Sequence, residues 1–166
     1  MNTILLTDSC CDLPLELVMP HKESLEVIGM PIHLDGTDYI DDLGKTLPHD
    51  IFYQKLRNGI RPTTAQINVF RFTEIFKKYA QDKVDTVYLA FTSGMSGTYN
   101  SAQLAKNLVL EEFPEAQIHI VDTLSASIGL GALTLGALDL IKDGASAQAI
   151  AQWAETQKTK TQHWFG

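Results

Sequence analysis

The chain has 166 residues, 45% of them apolar and 20% charged, as expected of one soluble globular domain with enough chain for a full core. Its net charge of −7 excludes the basic face that phosphate contacts demand, so no nucleic-acid partner is expected, and an anionic bilayer would repel it. The only two cysteines, adjacent at Cys10 and Cys11, exclude an ordinary structural disulfide, a redox CxxC pair and a zinc set; with no leader read at the N-terminus, the expected compartment is the cytoplasm.

Thr3 to Thr7 reads as a short apolar strand ending in Asp8-Ser9. The step Asp12-Leu13-Pro14 predicts a helix start, with Asp12 as N-cap and Pro14 in the first turn, where its missing N–H costs nothing; Pro20 ends that helix early. Leu25 to Leu34 is a second strand-like run, Asp35-Gly36 a turn, and Tyr39-Ile40 a short return before the loop Asp41 to Gly44. Pro48 to Arg57 has helical character and stops at Asn58-Gly59. Arg61 to Gln66 predicts a polar turn, extended before Pro62 because proline disfavours the α region in the residue preceding it. Asn68 then caps a helix through Tyr79, with Val69, Phe72, Ile75, Phe76 and Tyr79 on one side.

Thr86 to Phe91 is a β-branched and aromatic run of strand length. Tyr99 to Phe113 repeats Ala102, Leu104, Ala105, Leu108, Val109 and Phe113 at helical spacing. Gln117 to Val121 is another strand, ending at Asp122-Thr123, and a long helix runs from about Ala126 to Lys142 before Asp143-Gly144. Ser146 caps a further helix to about Lys158. Leu124 to Ile141 approaches membrane-spanning length, but Ser125, Ser127, Thr134, Asp139 and three glycines interrupt it, which predicts a core helix and no stable membrane insertion. Thr161 to Gly166 has the pattern of a new strand, as if the chain were part of a longer protein. The expected division is therefore 1–158 as an N-terminal domain and 159–166 as the start of a second.

Alternating strands and helices predict the α/β class, a mostly parallel sheet sandwiched by helices. Such sheets bind ligands beyond the carboxyl ends of their strands, where Asp8-Ser9, Thr92-Ser93 and Asp122-Thr123 all fall.

The strand-to-helix turn Thr92-Ser93-Gly94-Met95-Ser96-Gly97-Thr98 carries the most chemistry. Uncapped amides and the positive end of a helix dipole favour an anion there, Thr92, Ser93, Ser96 and Thr98 offer hydroxyl donors, and Gly94 and Gly97 allow close approach. No Lys, Arg or His stands in the turn, which suits one carboxylate better than a polyphosphate. The same residues would also serve as ordinary caps. A P-loop lacks its lysine and its frame, and a nucleophile elbow is one residue short.

Thr63-Thr64-Ala65-Gln66 forms a second hydroxyl loop that could close over the same anion. Asp8 lacks the Asp-x-Asp frame of an aspartyl phosphatase, so Asp8 and Ser9 read as loop-ordering residues. The vicinal cysteines have no basic neighbour and read as inert. Five scattered histidines and the acidic loop around Asp38, Asp41 and Asp42 give no metal set. His119 reads as a core or half-buried strand residue. No residue set predicts catalysis. The alternatives are a phosphotransferase or hydrolase using Asp8 or Ser93, or a structural half-domain without a ligand of its own.

Taken together, Thr7-Asp8-Ser9 with Asp12-Leu13-Pro14, Pro62-Thr63-Thr64-Ala65-Gln66, Thr92 to Tyr99, and Val121-Asp122-Thr123 resemble, in order, the DegV family of bacterial fatty-acid-binding proteins. The resemblance implies a two-domain protein with one long-chain fatty acid buried between the domains. It implies delivery of that acid to a separate fatty acid kinase for phospholipid synthesis, and no cofactor beyond the lipid itself. It also implies that Thr64 and Ser93 hold the carboxylate, with Thr63, Thr92, Gly94 and Ser96 beside them. Ala65 and Ile67 depart from the family's more usual serine and proline. The second domain, with its share of the acyl tunnel and of the residues near the carboxylate, is expected to lie outside this chain. Gly129, Gly131, Ala132 and Gly136 on the long apolar helix either line the acyl chain or permit close packing.

Overall fold

The computed structural model describes residues 3–163. Its centre is a four-stranded parallel sheet in the order β2-β1-β6-β7, formed by β1 (Thr3–Asp8), β2 (Leu25–Ile28), β6 (Asp85–Ala90) and β7 (Ile118–Asp122). Alternate residues of these strands point to opposite faces, and both faces are covered. Leu5, Val87, Leu89 and Val121 pack against Leu130, Leu133, Ala137 and Leu138 of α5 (Ser127–Lys142) and Ile150 of α6 (Ala147–Gln157). On the other face Ile4, Leu6, Tyr88 and Ala90 meet Phe72, Ile75 and Phe76 of α3 (Val69–Gln81) and Ala102, Ala105 and Val109 of α4 (Thr98–Glu112). The expected sandwich of a mostly parallel sheet between helices is the observed fold.

The run Leu25 to Leu34 is not one strand. It breaks at Gly29-Met30 into β2 and β3 (Pro31–Leu34), which belong to different sheets. Ser9 Oγ accepts the amide of Met30 at 3.0 Å, which secures the chain where it leaves the parallel sheet. β3 pairs antiparallel with β4 (Thr37–Ile40) through the Asp35-Gly36 turn, whose φ values of 54° and 75° suit the tight hairpin expected there. On its other side β3 pairs with the two-residue β5 (Thr63–Thr64). The segment expected as a polar loop is thus the edge of a small three-stranded sheet.

Two further expectations are corrected. Asp12 is not a helix N-cap: it ends the 3-10 turn Ser9–Cys11 in a left-handed conformation, and Pro14 stands at the N-cap of the short α1 (Leu15–Val18). On α4 the buried stripe is Ala102, Ala105 and Val109, whereas Leu104 and Leu108 are 57% and 49% exposed. α2 (His49–Arg57) begins after Pro48, and Asn68 and Ser146 cap α3 and α6 as the sequence predicts. Of the strand expected at 161–166, Thr161 to His163 have no regular structure and residues 164–166 lie outside the described residues.

The long apolar helix uses its glycines for contact with protein. A Cβ on Gly131 would lie 2.7 Å from the carbonyl oxygen of Cys11, and one on Gly136 would meet the ring of Trp153 at 2.5 Å. Gly129 faces His163 and Thr161, and Ala132 is exposed. Among the described residues, no helix is long and apolar enough to cross a membrane.

Candidate functional site

Parallel pairing of β1, β6 and β7 brings Asp8-Ser9, Thr92-Ser93 and Asp122-Thr123 to one edge of the sheet. Asp8 is buried and saturated with donors. Its Oδ2 accepts from the Tyr88 hydroxyl at 2.7 Å and the Phe91 amide at 2.9 Å, and its Oδ1 accepts from the Cys10 amide at 3.2 Å. Burial nonetheless holds the Asp8 carboxyl above the usual carboxylate range, because desolvation outweighs those donors. Burial also pushes up Tyr88, with the adjacent Asp8 adding to it. Beside them burial raises both thiols, Cys11 to about 11, and the nearby Asp8 and Asp12 carboxylates push in the same direction. Such thiols are poor nucleophiles. On β7 the half-buried His119 is shifted down by burial and by Lys106.

The hydroxyls of the central turn are already engaged. Thr92 Oγ1 accepts the Gly94 amide at 3.2 Å, and Ser96 Oγ accepts the Thr98 amide at 3.1 Å. The buried Thr98 Oγ1 lies 2.8 Å from Ser96 Oγ and accepts the Ile67 amide at 3.2 Å. The hydroxyl-rich turn is thus partly self-bonded, with Ser96 and Thr98 joined to each other and to nearby amides, while Gly97 at the N-cap of α4 supplies no side-chain cap, as the sequence reading expects.

Ser93 has a partner that the sequence reading missed. Its amide donates to Asp122 Oδ1 at 3.1 Å and its hydroxyl to Asp122 Oδ2 at 2.5 Å, while the Leu124 amide also donates to Oδ1 at 3.2 Å. The only signal available was positional. Asp122 pairs with Ala90 in the parallel register, three residues before Ser93. Just beyond it Leu124 and Ser127 both adopt left-handed φ values, 53° and 50°, uncommon for non-glycine residues.

The two hydroxyl segments meet across a groove of about 480 Å³, within the usual range of small-molecule sites. Thr64, Ala65 and Gln66 line one side, and Met95, Ser96 and Gly97 the other. Cys10, Met30, Ile32 and Phe91 supply apolar surface, and Asp41 the one charged side chain. Gln66 bridges the walls by donating to Ser101 Oγ at 3.2 Å. Thr63, Thr92, Ser93 and Gly94 are not in the lining: Thr63 pairs with His33 on the small sheet, and Ser93 lies against Asp122. Thr64 and Ser96 thus share the groove, while Ser93 stands on the β7 side of the turn. Among the described residues no group of three or more His, Cys, Asp or Glu side chains is placed to hold a metal ion. What the groove offers a ligand is hydroxyls, amides, apolar surface and the single Asp41 carboxylate, with no cation in its lining.

Comparison with known proteins gives this geometry a family. The family model described as an uncharacterised protein of the DegV family matches residues 3–166. A DegV domain-containing protein of Clostridium perfringens is 42% identical over 162 residues, 98% of this chain and 55% of the relative. Among solved structures, the fatty-acid-binding DegV family protein of Thermus thermophilus shares 30% identity at a TM-score of 0.79, over 96% of this chain and 54% of that one. A stearic-acid-binding protein from Eubacterium ventriosum shares 27% at a TM-score of 0.80, over 95% and 52% respectively. The chain spans about half the length of the curated relatives that it matches.

Proposed function

We propose that this chain, which belongs to the DegV family, binds a long-chain fatty acid and acts as a carrier rather than a catalyst. Thr64 and Ser93 hold the carboxylate in this reading, with Thr63, Thr92, Gly94 and Ser96 as neighbours, while Asp8 and Ser9 order the loops beneath. The acid is presented to a fatty acid kinase in the cytoplasm for phospholipid synthesis. Residues 1–158 act as the head-group domain, and 159–166 lead into a second domain that completes the acyl tunnel.

The observation that carries the proposal is the groove lined by Thr64 and Ser96 together with Met30, Ile32 and Phe91, with Ser93 outside that lining but on the same turn as Ser96. Fatty acids bound by the Thermus and Eubacterium proteins, which share this fold, support it. Met95, 66% exposed on the groove, and Ile128, 80% exposed at the start of α5, add apolar surface at the same edge of the sheet.

Energetics divide the labour. Each buried methylene contributes about 0.8 kcal/mol, so a dozen offer on the order of 10 kcal/mol before association costs. A hydrogen bond to the charged head group adds roughly 1.5–3 kcal/mol, much of it offset by desolvation. The acyl chain supplies affinity and the hydroxyls set position. Native mass spectrometry of the complete protein purified from cells tests this: a retained fatty acid is expected. A clean apo mass, with no uptake of added palmitate or oleate, overturns it.

A further inference from the structure

The Ser93 hydroxyl has one proton, and in this structure it is committed to Asp122. Both oxygens of that carboxylate are engaged, by two amides and the hydroxyl. This is the kind of cradle that an incoming carboxylate would use, filled by the chain's own side chain. Two carboxylates cannot both accept one O–H, and like charges at that separation repel.

We propose that Asp122 is a positioning residue that occupies the Ser93 donors as a resident anion and must release the hydroxyl when a ligand carboxylate binds. The inference rests on the fatty-acid reading above. It makes Asp122 a restraint on the site: it occupies the Ser93 donors while the site is empty, and its charge opposes an incoming carboxylate more than a neutral head group. The chemistry of substitution follows directly. In Asp122→Asn the Oδ1 can still accept the Ser93 and Leu124 amides, while the side-chain NH2 donates to Ser93 Oγ and turns the hydroxyl proton outward.

The test is equilibrium binding of palmitate and of methyl palmitate to the complete protein and to Asp122→Asn, with thermal melts to confirm folding. Palmitate affinity is expected to rise about tenfold and methyl palmitate affinity by clearly less, because hydrogen bonds to a charged acceptor are the stronger ones. The gain is expected to vanish when Ser93→Ala is added, since it passes through that hydroxyl. Unchanged or weaker palmitate binding overturns the proposal and leaves the carrier reading standing, as does an equal change for both ligands. Failure of the unaltered protein to bind palmitate at all overturns both. If the variant does not fold, a palmitate-bound structure of the unaltered protein decides. Asp122 Oδ2 withdrawn from Ser93 Oγ is the expected result, and a retained 2.5 Å contact with the ligand on the same hydroxyl overturns it.

Discussion

Gln66 lies across Gly97: a Cβ on Gly97 would fall 2.0 Å from Gln66 Oε1. The absent side chain lets the Thr64 segment close onto the central turn, where Gln66 reaches Ser101 and the Ile67 amide reaches Thr98. The two hydroxyl segments that face the groove are therefore held together by a glycine, an amide side chain and a buried threonine hydroxyl.

Gly97→Ala should displace the Gln66 amide and break its bond to Ser101. Since the obstructing atoms end a flexible side chain, the stability loss is expected to be about 0.5–1.5 kcal/mol, that of one hydrogen bond. Hydrogen exchange should speed up at residues 64–67 while the β6 core stays protected. Faster exchange across the whole sheet would mean that the contact supports the fold and not merely the groove.

Gly131→Ala should cost more. Its Cβ would press on the Cys11 carbonyl at 2.7 Å and on Leu13, and a backbone carbonyl cannot swing aside. Urea unfolding should show a loss of about 1–3 kcal/mol, as for other overpacked cores. A neutral result would show that α5 has room to slide on the 9–13 segment.

Tyr88→Phe removes a donor from the buried Asp8. Asp8 titrates above its unfolded value, so the folded protein holds that proton longer. The stability it contributes is complete below the unfolded range and falls as pH rises through the raised one. Loss of the Tyr88 hydroxyl penalises the ionised carboxylate most. Urea melts should therefore show a deficit of about 1–3 kcal/mol once pH has risen through the raised Asp8 value, and a smaller one below the unfolded carboxylate range. A deficit that does not change with pH would show that Asp8 is not the group concerned.

Cys10 and Cys11 should resist alkylation in the folded state. A thiol at about 11 is roughly two orders of magnitude less ionised at pH 7.5 than free cysteine at about 8.5. Iodoacetamide should label the native protein correspondingly slowly and the urea-unfolded protein at the free rate. Rapid native labelling would contradict the burial described for this turn.

Local pattern reveals what local forces decide. Phe72, Ile75 and Phe76 recur at helical spacing and are buried together, and Asn68 and Ser146 cap where their side chains can reach an amide three residues on. Asp12 misleads because its role is set by its neighbours. Asp8 draws the Cys10 amide into a tight turn, and the Asp12 amide closes that turn onto Ser9 before any helix begins. Leu104 and Leu108 sit one residue, about 100° of helix, away from the Ala105 and Val109 stripe, a difference that a broad apolar pattern does not resolve. Ser93 and Asp122 lie 29 residues apart. Only the pairing of β6 with β7 brings them together, so their bond could not be read from either motif alone.

A crystal structure of the complete protein with palmitate bound tests the central claim most directly. The account predicts carboxylate oxygens within hydrogen-bond distance, about 2.5–3.2 Å, of the Ser93 and Thr64 hydroxyls, with the acyl chain leaving over Met30, Ile32 and Phe91. A head group seated away from both hydroxyls would contradict it.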